Sequence, residues 1–150
     1  MEKIYSKNKK AYHDYEVLET LEAGISLLGA EVKSIRKSNV QLKGSYILIK
    51  DSKISLISSH ISRPDHIGNR KFDEYRERNL LIHKNQLEKL YKRVTEKGIS
   101  LVPLKIYQPE DSKKIKVQIG LVKGKKDYDK RETLKRTQQE MDAKRDLKDY

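Results

Sequence analysis

Four histidines, no cysteine and a large excess of lysine and arginine frame the chemistry open to this chain. His13, His60, His66 and His83 never fall at a spacing that would place two imidazoles on one metal ion. Without cysteine there is no thiol nucleophile, no disulfide and no cysteine-ligated zinc. Gly24 and Gly29 have the glycine spacing of a phosphate-binding loop, but Ala30-Glu31 stands where Lys and Ser or Thr would have to hold phosphate and magnesium. No Gly-x-Ser-x-Gly elbow occurs, and no convergent set of acid, base and nucleophile emerges. The sequence therefore points away from catalysis and implies no cofactor and no metal.

What the chain does offer is positive charge. Its 34 Lys and Arg against 22 Asp and Glu give a formal charge of +12, more than solubility requires, so a polyanion is the expected partner. No stretch has the length of a membrane span, and no predicted helix carries the bulky apolar face of an interfacial anchor, which favours nucleic acid over a membrane surface. The first seven residues lack the apolar run of a secretory signal, so a cytoplasmic location is expected. Lys9 and Lys10 in the leader, Lys33 and Arg36 on a predicted helix, Lys114 and Lys116 on a predicted strand, and Lys123, Lys125 and Lys126 beyond it are donors for phosphate oxygens. Any one of them is equally at home on an ordinary solvated surface, and only the summed imbalance argues for RNA or DNA. Nine Tyr stand against one Phe and no Trp. Tyr15, Tyr46 and Tyr91 lie on apolar faces and are expected in the core, and Tyr12 and Tyr128 are better candidates for stacking on bases.

The elements that must position these residues are legible as short periodic runs. Residues 12–21 carry Tyr15, Val17 and Leu21 on one side, a half-buried strand whose apolar face Glu19 interrupts. Residues 23–37 place Ile25, Leu28, Val32 and Ile35 at helical spacing, which predicts an amphipathic helix with a basic outer face. Residues 46–49 and 53–57 read as a hairpin, residues 58–78 as a long surface loop, and Leu80-Leu81-Ile82 as a return to the core. Leu87, Leu90, Tyr91 and Val94 predict a helix over 84–97, with Gly98 at its end. Val102, Leu104 and Ile106 define a strand over 100–107, and Ile115, Val117, Ile119 and Leu121 define another over 114–122. From Lys123 onward the chain has ten basic and seven acidic residues, and Leu134, Met141 and Leu147 are too sparse to form a buried stripe. That segment is expected to be disordered when free, yet its composition is competent to form a helix on a surface that supplies contacts. The sum is a mostly β protein with helices. We expect a small antiparallel OB-like β-barrel with two or three helices over residues 1–122 and a basic tail over 123–150, with a β-sandwich as the alternative.

Five segments together resemble one family, small protein B, the SsrA-binding protein of bacterial trans-translation. They are Asn8-Lys9-Lys10-Ala11-Tyr12-His13-Asp14-Tyr15, Leu21-Glu22-Ala23-Gly24-Ile25, Gly29-Ala30-Glu31-Val32-Lys33-Ser34-Ile35-Arg36, the run 98–107, and the run from Lys123-Gly124-Lys125-Lys126 through Tyr128-Asp129-Lys130-Arg131. Their order and spacing match over nearly the whole chain. The resemblance implies a monomeric, non-enzymatic protein that binds the tRNA-like part of transfer-messenger RNA and escorts it to stalled ribosomes. It further implies a tail that enters the vacant mRNA channel near the decoding centre, becoming helical there, and elongation factor Tu as a partner only indirectly, through the charged RNA. By motif, Glu22, Leu81 and Lys116 match positions associated with RNA binding, and Asp129-Lys130-Arg131 matches the tail motif needed on the ribosome. Tyr128 falls where the family often has an aromatic or His. The bland reading of Leu81 is core, and Glu22 is an odd contact for a polyanion unless its carboxylate accepts from base or ribose donors or orients a neighbouring lysine.

The chain also departs from the family. Where an Asn-His-x-Pro-x-Arg-x-Arg-Lys pattern is usual, it reads Lys71-Phe72-Asp73-Glu74-Tyr75-Arg76-Glu77-Arg78-Asn79, keeping the two arginines alone. Ala30 replaces a more usual Thr or bulky residue, and the 108–113 turn is slightly long. A general single-stranded nucleic-acid module explains the charge but leaves the tail motif without a purpose, and a nuclease is the third reading.

Overall fold

The computed structural model describes residues 2–96 and 98–124. Seven strands form one sheet in the order β1 (Lys3–Lys7), β8 (Ile99–Gln108), β9 (Lys116–Gly124), β2 (Tyr15–Ile25), β7 (Arg78–Leu81), β5 (Lys53–Ile57), β4 (Tyr46–Lys50). Every pairing is antiparallel. The short strands β3 (Val40–Gln41) and β6 (His60–Ile61) pair separately, and three helices, α1 (Lys9–Asp14), α2 (Gly29–Arg36) and α3 (Lys84–Val94), complete the described chain. The sheet curls until β4 lies against β8 and β1 against β3, but no ladder joins the edge strands β1 and β4. It is an OB-like antiparallel barrel left unclosed, and one continuous strand order rules out the sandwich.

Sequence periodicity located the central strands but not the way they bury both faces. Leu101 and Ile106 of β8 belong to the main core, whereas Val102 and Leu104 join a second cluster with Ala11 and Val122. A bulge between Pro103 and Lys105 reverses the side-chain alternation, so the expected single face of Val102, Leu104 and Ile106 is split between two. A matching bulge between Val17 and Glu19 does the same in β2, sending Tyr15 and Val17 to the second cluster and Leu21 and Ala23 to the main one. The extra residue explains why Glu19 interrupts the pattern: its register is shifted, not its strand broken. Gly120 of β9 makes room for this arrangement, since a Cβ there would lie 2.7 Å from Leu104 Cδ1.

Several expectations are corrected. The leader contains β1, and residues 9–14 form a short helix whose Asn8 cap accepts from the Ala11 amide at 3.2 Å and donates to the Pro103 carbonyl at 2.8 Å. The helix predicted over 23–37 starts only at Gly29, because Ala23 and Gly24 pair with β9, Gly24 and Ile25 pair with β7, and Leu28 is exposed. Helix α3 ends at Val94, and Tyr91, expected in the core, is 49% exposed. The hairpin of β4 and β5 is present, with Asp51 and Ser52 both at positive φ, the two-residue turn that matches strand twist.

The predicted surface loop over 58–78 is the largest correction. It contains β6, a 3-10 turn at Asp65–Ile67 and the start of β7, and it is fastened to α2 through an interior ion cluster. Arg78 is 0% exposed and Glu31 1%. Arg78 donates from Nε to Glu31 Oε2 at 2.8 Å, and Arg76 donates from Nη2 to Glu31 Oε1 at 2.6 Å. The rest of the Arg78 guanidinium meets the Ser59 and Glu74 carbonyls at 2.8 and 3.3 Å. Burial alone would raise the Glu31 carboxyl, but Arg76, the Leu28 amide and Arg78 more than offset it and hold the group below its ordinary value. Burial likewise pulls Arg78 down, with Glu31 opposing. These are the two arginines retained from the altered family pattern. Their work is to close the loop over the core.

Candidate nucleic-acid interface

The outer face of β7, β2, β9 and β8 sets out a row of neighbouring positions. Leu81 faces Gly24, Gly24 faces Lys116, and Lys116 faces Tyr107. One step along, Glu22 faces Gln118, which faces Lys105. Since side chains two apart on a strand share a face, Glu22 and Gly24 of β2 and Lys116 and Gln118 of β9 all project outward. Together with Leu21 of β2, and with Ile82, His83 and Gln86 at the start of α3, Glu22, Gly24, Leu81 and Lys116 line a groove of about 530 Å³. Gly24 forms its floor. A Cβ there would come within 3.2 Å of Leu81 Cβ, so the glycine lets the Leu81 side chain stand up from the sheet.

Three residues singled out from three separate sequence motifs thus meet in one depression. Leu81 is not core: it is 61% exposed, while its neighbour Leu80 is buried. An apolar side chain left standing beside a lysine is suited to packing against a base or ribose, with the ammonium reaching phosphate. Lys116 forms no ion pair with a described residue. Glu22 accepts a hydrogen bond at Oε1 from the Tyr107 hydroxyl at 2.6 Å. Tyr107 itself is buried, and Lys105 Nζ lies 4.6 Å from its ring centroid. Burial, followed by the neighbouring Glu22 carboxylate, pushes the Tyr107 hydroxyl well above the ordinary range, so it remains a donor. Tyr107 was not singled out from sequence. By alternation it falls on the face opposite Ile106, and only the register across β9 connects it to Glu22.

The remaining sequence candidates lie elsewhere. Lys9 and Lys10 are exposed on α1. Tyr12 on the same helix is half-buried against the second core cluster with Lys7 Nζ 5.1 Å from its ring centroid, so it is less free to stack than expected. Lys33 and Arg36 are exposed on α2, which packs against β6, and Arg36 reaches the Lys113 carbonyl at 3.4 Å. Lys123 and Gly124 are the exposed end of β9, paired with Glu16 and Tyr15. Lys125, Lys126, Tyr128, Asp129, Lys130 and Arg131 lie outside the described residues. No group of His, Cys, Asp and Glu among the described residues could hold a metal ion, and no described helix is long and apolar enough to cross a membrane.

Comparison with known proteins decides the family. The family model "SmpB protein" matches residues 5–149. The chain belongs to the SmpB family. It is 45% identical over 148 residues to an SsrA-binding protein of Pelobacter propionicus, covering 98% of this chain and 95% of that protein. An SsrA-binding protein of Syntrophotalea carbinolica is 46% identical over 148 residues, with 98% and 97% covered, and one of Ligilactobacillus salivarius is 44% identical over 145 residues, with 97% and 92% covered. Among solved structures, a chain from a study described as "tmRNA-SmpB: a journey to the center of the bacterial ribosome" superposes with a TM-score of 0.66 at 44% identity, covering 80% of this chain and 83% of the other. The chain thus shares its fold with that solved protein over the covered residues.

Proposed function

We propose that this protein binds the tRNA-like part of transfer-messenger RNA and delivers it to stalled ribosomes, acting in the cytoplasm and without catalysis of its own. The observation that carries the reading is the meeting of Glu22, Leu81 and Lys116 at one groove: an acceptor, an apolar platform and a cation, the three kinds of contact a folded RNA offers to a protein surface. Lys9, Lys10, Lys33, Arg36 and Lys123, exposed elsewhere on the surface, add positive charge that raises the rate and strength of encounter without reading sequence. The formal charge of +12 supports the same partner. The barrel domain grips the RNA, and the segment over 123–150, from Gly124, Lys125 and Lys126 through Tyr128 and Asp129-Lys130-Arg131, acts on the ribosome after the RNA is bound, entering the vacant mRNA channel.

Competition binding tests the RNA half. A labelled tRNA-like fragment should stay bound when an equal concentration of unrelated single-stranded RNA is added, and equal displacement would favour a general single-strand module instead. Full-length protein with Asp129, Lys130 and Arg131 all changed to Ala tests the tail half. It should bind the RNA as before yet fail to support peptide tagging on stalled ribosomes, and normal tagging would refute the division of labour. Incubation of purified protein with RNA and magnesium should give no cleavage.

A further inference from the structure

Glu22 and Lys116 line the same groove, carry opposite charges and lie on neighbouring strands, Glu22 standing opposite Gln118, two residues along from Lys116. Two long side chains so placed would ordinarily find each other, and an exposed pair of this kind would leave neither charge free for a ligand. They do not pair. Glu22 is instead held from the far side of β9, where the Tyr107 hydroxyl donates to its Oε1 at 2.6 Å. The Tyr107 ring is fixed in turn: it is 6% exposed, Lys105 Nζ lies over it at 4.6 Å, and Lys105 is tied to Glu2 Oε1 at 2.6 Å. Oε2 of Glu22 has no partner among the described residues, and neither has the Lys116 ammonium.

We infer that Tyr107 is a positioning residue that keeps Glu22 from neutralising Lys116, so that the groove presents an acceptor oxygen and a cation side by side, not joined to each other as an ion pair. The fitting ligand is one that supplies both complements within a few ångströms: a nucleotide, whose phosphate meets Lys116 and whose base amine, imino group or ribose hydroxyl donates to Glu22 Oε2. An acidic peptide offers only the anion, and a duplex read through its backbone alone would be repelled by Glu22. This accounts for a carboxylate in the middle of a surface for binding a polyanion, and it rests on the RNA-binding reading given above.

The test is the salt dependence of RNA affinity for full-length wild type, Tyr107→Phe, Glu22→Gln and the double variant, with a tRNA-like fragment and an unrelated single strand as probes. Tyr107→Phe keeps the ring and frees Glu22 to swing onto Lys116. It should weaken binding about tenfold, the loss of a charge-assisted contact. It should also flatten the slope of log affinity against log salt by about 0.7–0.9, one phosphate's worth. Adding Glu22→Gln removes the anion that captured the lysine, so the double variant should recover the wild-type slope while remaining weak. A Tyr107→Phe protein with wild-type affinity and slope, or a double variant whose slope stays flat, would overturn the inference. If Tyr107→Phe does not fold, Glu22→Gln and Lys116→Gln decide instead: with the two groups held apart their losses multiply, to within about twofold. A double variant no weaker than the worse single would mean they already pair. Equal wild-type affinity for the two probes, by contrast, would count against the function proposed and leave the salt slopes to judge Tyr107.

Discussion

Replacing Glu31 with Ala removes one carboxylate and strands two guanidiniums, of which Arg78 is wholly buried. Breaking a buried pair by deleting one partner costs about 3–5 kcal/mol, because the remaining charge keeps its desolvation penalty and loses its compensation. The Leu28 amide loses its acceptor at the start of α2 as well, worth about 1 kcal/mol. A loss of about 4 kcal/mol is a large share of the roughly 5–15 kcal/mol that holds a domain together. It should appear as a fall in melting temperature of about 10–20 °C. Equilibrium urea unfolding of wild type, Glu31→Ala, Arg78→Met and the double variant gives the decisive form of the measurement, with the m-value watched to confirm that the unfolded state is unchanged. Either single change already strands its partner, so the double variant should cost little more than the worse single, a coupling of about 2–3 kcal/mol. A Glu31→Ala loss below about 1 kcal/mol, or single losses that simply add, would refute the reading of this cluster as the clasp of the 58–78 segment.

The same carboxylate sets a pH dependence. Its folded value lies below the ordinary 4.5, so the unfolded chain takes up the proton first; the stability it contributes is complete above about pH 6 and is lost as pH falls through 4.5 toward the lowered value, and Glu31→Ala should abolish that part of the acid transition seen by circular dichroism. Lys116→Ala should weaken RNA binding and reduce the salt slope by about one phosphate's contribution, whereas an unchanged slope would assign this lysine to the solvated surface. Gly120→Ala forces a methyl to within 3 Å of three atoms of the fully buried Leu104, and should cost about 1–3 kcal/mol in urea unfolding; a neutral effect would mean that Leu104 has an alternative rotamer to retreat into.

By itself the sequence determined what is local or summed over the chain. Alternating residues located β9, the i, i+3, i+4, i+7 spacing located α3, two β-rich runs a few residues apart located the hairpin, and the charge pointed to a polyanion. The resemblance of its motifs to the small protein B family added Glu22, Leu81 and Lys116 as expected RNA contacts. Tertiary structure decided what depends on which strand lies next door. Period-two reading assumes a constant register, so the bulges at Val17/Glu19 and Pro103/Lys105, each one extra residue, were invisible and split the apolar positions of β2 and β8 between two clusters. A charged residue reads as surface until a partner is found for it, and the partner of Arg78 is 47 residues away. Adjacent leucines cannot both face the core of a strand, but it took the pairing of Leu81 with Gly24 to show which one stands over the groove. Tyr107 and Glu22, 85 residues apart, meet only because β9 lies between them, and no spacing in the chain carries that fact.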